Sequence, residues 1–164
     1  MPEWDQIVRE NTRRVFGIAL RILGSKHDAE DVTQDVFLEA IELPTPQKIH
    51  DWPGLLRRMT TLRSIDRLRK RRPTTLIDAN LPIASSTGDE VVAKELAERL
   101  RQALLQLSDR QAAVFTLAYF EWQSQEEIAV SLDMTPAAVS TALYKARQTL
   151  KSLLIETTEE TDHG

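Results

Sequence analysis

The stretch from Ser124 to Leu154, SQEEIAVSLDMTPAAVSTALYKARQTLKSLL, leaves the chain the least freedom. Ser124 followed three residues on by Glu127 makes a capping box, in which each side chain satisfies an orphan amide of a starting helix. Ile128, Ala129 and Leu132 then share one face. Asp133 stands where the chain must leave that helix in a left-handed conformation, which Asp tolerates better than most residues other than Gly or Asn. Thr135 can cap a second helix, with Pro136 at its first position, where no amide hydrogen is needed. Val139, Leu143, Ala146, Leu150 and Leu153 recur at helical spacing. Ala129 is small where the two helices must cross closely. This is the pattern of a helix-turn-helix, whose second helix usually enters the DNA major groove. Capped amphipathic pairs also occur in ordinary bundles, so the stretch alone leaves a purely structural role open.

The rest of the chain predicts further helices. Residues 3–23 carry Val15, Ile18, Ala19 and Ile22 on one face, and Gly24 ends the run. Ser25, with Asp28 three residues on, caps a helix reaching about Glu42. Its core face is Ala29, Val32, Val36 and Ala40, widened by Phe37 and Ile41. Asp31, Gln34, Asp35 and Leu38 share another face. Pro44 and Pro46 break the pattern from Leu43 to Asp51. Trp52-Pro53-Gly54 opens a third helix, with Leu55, Met59 and Leu62 expected inward, Ile65 and Leu68 near that side, and Thr60, Arg63, Arg67 and Lys70 on a separate stripe. Pro73 stops it. Residues 73–90 are rich in Pro, Ser, Thr and small residues and read as a linker. A second unit begins near Val91, with a stripe of Leu96, Leu100, Ala103, Leu104 and Leu107. Ser108 and Gln111 form another capping box before a short apolar helix. The acidic tail, 156–164, is expected to fray. The predicted class is all-α: a helical unit over residues 1–72, the linker, and a helix-turn-helix unit over residues 91–155.

Net charge is −4, which by itself opposes binding to nucleic acid. The distribution reverses that inference. Residues 57–72, RRMTTLRSIDRLRKRR, hold eight of the 21 basic residues against Asp66 alone. A basic helix on an otherwise acidic body suits a polyanion, although a solvated helix has the same composition. Held beside a buried face, such a stripe could track phosphates, with each neutralised phosphate releasing counterions.

Other classes find little support. No apolar run is long enough to span a membrane, and the N-terminus lacks a signal-peptide pattern. The chain has no cysteine, and His27, His50 and His163 have no ligand spacing, so no metal or cofactor is expected. No nucleophile–base pair or phosphate loop is evident, which makes an enzyme the class the sequence favours least. The cytoplasm is the default location.

In order, these pieces resemble the sigma-70 family, specifically its short extracytoplasmic-function (ECF) group. Asp28-Ala29-Glu30-Asp31-Val32-Thr33-Gln34-Asp35-Val36-Phe37 is similar to the region 2 motif that binds core RNA polymerase. Trp52 through Arg72, with Ile65-Asp66 before Arg67-Leu68-Arg69-Lys70-Arg71, is similar to the promoter −10 region. Leu107-Ser108-Asp109-Arg110-Gln111 and Glu126-Glu127-Ile128-Ala129 are similar to region 4, and Lys145-Ala146-Arg147 with Leu150 to the end of the −35 helix.

The resemblance implies a non-catalytic transcription initiation factor whose partners are core RNA polymerase and promoter DNA, with an anti-sigma factor expected from the group. Asp31, Gln34, Asp35 and Leu38 would meet the polymerase. Trp52, Arg57, Arg63, Arg67, Lys70 and Arg71 would serve the −10 element, and the prolyl loop before Trp52 would receive a flipped base. Thr135, Ser140, Thr141, Lys145, Arg147 and Gln148 would serve the −35 element. The chain departs from the pattern at Leu62, often Asn in the family, at Arg67, often aromatic, and at Asp133, frequently Gly. Pro136-Ala137-Ala138-Val139-Ser140 lacks the basic or amide side chains that read bases bidentately, so the C-terminal unit is expected mainly to anchor. Two alternatives stay open: a helix-turn-helix regulator that binds DNA independently, and a sigma-like decoy that binds core without opening promoters.

Overall fold

The structure, a computed structural model, describes residues 3–71 and 88–162, with side chains described as far as Ile155. The described residues form seven α-helices, one short 3-10 turn and no strand. They are α1 (Trp4–Leu23), α2 (Lys26–Ile41), α3 (Trp52–Lys70), α4 (Gly88–Leu104), α5 (Asp109–Tyr119), α6 (Gln125–Leu132) and α7 (Pro136–Asp162), with the turn at Pro46–Lys48 in the prolyl loop.

The local signals act where the sequence places them. Ser25 Oγ accepts from the Asp28 amide, and Asp51 does the same for Gly54 at the start of α3. Ser108 with Gln111 and Ser124 with Glu127 form complete capping boxes. Thr135 Oγ1 accepts from the Ala138 amide at 3.1 Å. Gly24 ends α1 at φ 66°, and a Cβ there would collide with the Arg101 guanidinium.

α1, α2 and α3 pack against one another, and α4 to α7 form the second group. One apolar core runs through both: Ile18, Ile22 and Leu56 belong to the same cluster as Leu104, Leu107 and Leu150. A second cluster lies inside the helix-turn-helix, where Ile128 and Ala129 meet Val139 and Leu143. Burying a side chain such as Leu56 contributes about 1.5–3 kcal/mol.

Polar ties cross between the groups. Arg69 donates to Asp109 Oδ1 at 2.6 Å and to the Leu105 and Leu107 carbonyls. Arg101 donates to the Ile22 and Arg21 carbonyls in the last turn of α1, where the helix dipole favours a cation. Arg21 pairs with Glu121 at 2.6 Å.

The structure departs from the sequence reading at four places. The buried face of α3 is Leu56, Thr60, Thr61, Ser64, Ile65 and Leu68, whereas Leu55 and Met59 are half-buried and Leu62 is exposed. Thr60 therefore leaves the basic stripe. Its hydroxyl donates to the Leu56 carbonyl at 2.5 Å and that of Thr61 to the Arg57 carbonyl at 2.8 Å, so both side chains enter the core without an orphan donor. Ile41 on α2 and Leu96 on α4, both expected inward, are exposed. Helix α4 begins at Gly88, with Asp89 and Glu90 at the favourable end of its dipole, so the last three residues assigned to the linker are helical; the rest of 73–90 lies outside the described residues. Finally, α7 continues as helix to Asp162, beyond the boundary at 155, and residues 163 and 164 lie outside the described residues.

Candidate nucleic-acid interface

The helix-turn-helix has the geometry its motif demands. Asp133 adopts φ 53° after α6 and passes the chain to Thr135 and α7. Val139, Ala142, Leu143 and Ala146 turn inward. The opposite face of α7 presents Ser140, Thr141, Lys145, Arg147 and Gln148 to solvent, with Thr135 exposed at its start. Arg147 donates to the Tyr119 hydroxyl and lies 5.4 Å from that ring's centroid, which fixes its guanidinium beside α5.

A groove of about 340 Å³ lies against this face, lined by Ala137, Ala138, Thr141, Ala142, Lys145 and Arg110. Two cations and a hydroxyl thus converge on a surface floored by alanines. Arg110 belongs to α5, and sequence reasoning passed over it because spacing along one helix does not reveal what a neighbouring helix adds. Tyr144 is also exposed on α7 and was likewise missed.

On the N-terminal group, Gln34, Asp35 and Leu38 stand exposed on one face of α2, with Leu38 54% accessible. Asp31 is half-buried on the same side. It accepts from Arg67 at 3.1 Å and lies 3.5 Å from His27. A second groove, about 510 Å³, runs between α2 and α3, with Glu39, Leu43, Met59, Leu62, Arg58 and Arg63 among its lining residues. Leu43 brings the start of the prolyl loop to this groove.

The basic stripe of α3 is not a row of free cations. Arg63 donates from Nε and Nη2 to Glu39 Oε2 at 2.9 and 2.6 Å. Arg67 bonds Asp28 at 2.8 Å as well as Asp31. Arg71 bonds Asp28 at 2.6 Å and the Leu23 carbonyl at 2.8 Å. Lys70 pairs with Asp66 at 3.1 Å on its own helix. Arg57 is half-buried, with an Nε that finds no partner. Trp52 is half-buried too, packed edge-on against Trp4 at 5.2 Å between ring centroids. In this arrangement Arg71 and Trp52 brace the fold, while Arg63, Arg67 and Lys70 stay near the surface with their charges countered.

The charges tune one another. Burial alone would raise the Asp28 carboxyl, but the hydrogen bonds and charges of Arg71 and Arg67 outweigh it and hold the group below its ordinary value. The hydrogen bond to Glu39 raises Arg63, and the bond to Asp28 raises Arg67, so both remain cations.

Comparison with known proteins agrees with this layout. Residues 7–74 match the family model for sigma-70 region 2, and residues 97–150 match that for sigma-70 region 4; together they take in most of the chain. The ECF RNA polymerase sigma factor SigE of Mycolicibacterium smegmatis is 30% identical over 98% of this chain, which spans 65% of that relative's length. SigW of Bacillus subtilis, also an ECF RNA polymerase sigma factor, is 29% identical over 86% of this chain and 83% of its own. Among solved structures, the Bartonella quintana sigma factor RpoE, crystallised with the anti-sigma factor NepR, shares the fold at a TM-score of 0.59 and 17% identity, covering 94% of this chain and 98% of that one. With both regions matched in order, a helix-turn-helix in the second and an acidic helix in the first, the chain belongs to the sigma-70 family, in its extracytoplasmic-function group.

Proposed function

We propose that the chain is a transcription initiation factor that binds core RNA polymerase, directs it to promoters and works through two DNA-facing surfaces. The observation that carries this reading is the ordered pair of sigma-70 regions, each with its expected exposed face. Gln34, Asp35 and Leu38, with Asp31 at the edge, form the polymerase-facing stripe. Arg63, Arg67 and Lys70, with the groove at Leu43, serve the −10 element. Thr141, Lys145 and Arg147, joined by Arg110, hold −35 phosphates; Ser140 and Gln148, exposed on the same helix, are the remaining candidates for base contacts.

The assignment gives the chain no catalytic residue; phosphodiester chemistry belongs to the polymerase. On this reading the chain works beside that enzyme in the cytoplasm. No described helix is long and apolar enough to cross a membrane. An anti-sigma factor is the regulatory partner the group implies.

The test is in vitro transcription with core polymerase on a promoter library. Transcripts from a subset of promoters sharing −10 and −35 motifs are expected only when chain and core are both present. Binding to core without any transcript would instead identify a decoy, and sequence-selective binding without core would identify an independent regulator.

A further inference from the structure

Asp31, at the edge of the α2 face expected to meet the polymerase, and its neighbours Asp28 and Glu39 are paired with the stripe of α3 expected to meet DNA. Asp28, Asp31, Asp35 and Glu39 lie at helical spacing along α2, and Arg63, Arg67 and Arg71 lie at spacings of four along α3. The helices run antiparallel, so Glu39 meets Arg63, Asp31 and Asp28 meet Arg67, and Asp28 meets Arg71. Asp35 adds its charge to the field around Arg63. This ladder has a fixed end and a loose end. Asp28 and Arg71 leave only 17% of their side chains accessible, whereas Arg63, Glu39, Arg67 and Asp31 are each accessible to about two-fifths. Exposed pairs of this kind are weak and exchange partners readily.

We propose that the loose end of the ladder couples the two binding events. In the free protein Glu39 holds Arg63, and Asp31 shares Arg67 with Asp28, so that both guanidiniums are drawn away from DNA phosphates. A cationic helix of the polymerase that takes up the α2 carboxylates releases those guanidiniums, and DNA that takes up the guanidiniums frees the carboxylates. Each partner therefore raises affinity for the other by the same factor, because coupling between two sites is reciprocal. Asp28 and Arg71 stay paired and keep α2 and α3 in register while the outer pairs exchange. The inference rests on the reading that the α3 arginines contact DNA, and it assigns Asp31 and Glu39 a positioning role that a solvated acidic face would not have.

Two double-mutant cycles on the full chain test it, D31N with R67Q and E39Q with R63Q. Each is read by fluorescence anisotropy on a short labelled DNA duplex at low salt, without polymerase. E30Q, an exposed carboxylate elsewhere on α2, controls for the change in net charge. D31N and E39Q are expected to tighten duplex binding by about two- to five-fold beyond E30Q, the range set by an exposed pair. That gain should vanish when the facing arginine is also replaced. Gains equal to that of E30Q, with R67Q and R63Q weakening binding alike in both backgrounds, would overturn the coupling while leaving the DNA contact intact. Arginine variants that bind as tightly as the parent in every background would overturn the DNA contact itself. The E39Q–R63Q pair is the more exposed of the two and carries the test if D31N disturbs folding.

Discussion

Arg69 lies 2.6 Å from Asp109 and also donates to the Leu105 and Leu107 carbonyls, so one side chain of the basic helix ties it to the C-terminal group. The carbonyl bonds matter more than the ion pair, because Asp109 is 80% accessible. Arg69→Ala is expected to cost about 1.5–3 kcal/mol, the range for hydrogen bonds to a charged group, and Asp109→Ala less than about 1 kcal/mol. Urea unfolding of the two variants measures both; equal losses would place the energy in the ion pair.

Asp28 gives a pH signature. Its folded-state pKa lies below the ordinary 3.8, so its ties add stability that is fully present above that value. The contribution is lost as pH falls below 3.8 and through the folded value. Asp28→Asn should therefore destabilise by about 1–3 kcal/mol at neutral pH, the cost of stranding half-buried partners. The gap from the parent should close as pH is lowered beneath 3.8. A gap that persists in acid would show that shape, not charge, holds Asp28 in place.

For polymerase binding, Asp35 is a cleaner probe than Asp31. Asp35 is exposed, whereas Asp31 faces Arg67, so a lysine there would also place two cations together. Asp35→Lys is expected to weaken core binding by at least about fivefold, roughly 1 kcal/mol, with helicity unchanged. Fluorescence titration with core and far-ultraviolet circular dichroism read the two effects. Unchanged core affinity would remove Asp35 from the interface.

Trp122 stands at φ 54° in the turn between α5 and α6, and 86% of it is exposed. A left-handed conformation costs a non-glycine residue roughly 1–2 kcal/mol, and so exposed a side chain gains little from packing. Trp122→Gly should stabilise the chain by about 0.5–1 kcal/mol after the glycine's extra unfolded-state entropy is counted. Thermal unfolding checks this; a lower Tm would mean that the indole contributes packing that offsets the strain.

What the sequence revealed divides along a physical line. Caps and turns are decided within four residues, so Ser25, Ser108, Ser124, Asp133 and Thr135 could be read directly and act as expected. The buried faces of α1 and α7 follow largely from apolar spacing, with Asn11 of α1 a polar exception whose amide donates to the Ile7 carbonyl. The inward face of α3 did not, because Thr60, Thr61 and Ser64 are polar by composition yet enter the core, two of them by returning their hydroxyls to their own helix. The state of the basic stripe was hidden for another reason. Lys70 meets Asp66 four residues away, but the partners of Arg63, Arg67 and Arg71 are carboxylates on another helix, 24 to 43 residues away, and no spacing rule within one helix reports them. Arg110 was hidden in the same way, since its place beside Lys145 depends on how α5 crosses α7.

The most direct measurement is transcription from two promoter-mutant series, one in the −10 and one in the −35 element, with core polymerase and the full chain. Helix α7 opens with Ala137 and Ala138, and its exposed Lys145 shares a groove with Arg110, which on the proposed reading holds phosphates. Phosphate contacts position a protein but carry no sequence information. The account predicts that −10 substitutions each cost about 1–3 kcal/mol, that −35 substitutions cost less, and that no promoter is selected without core. Tolerance of −10 changes together with loss of transcription on −35 changes would contradict it and would make Ser140, Thr141 or Gln148 the readers of base sequence.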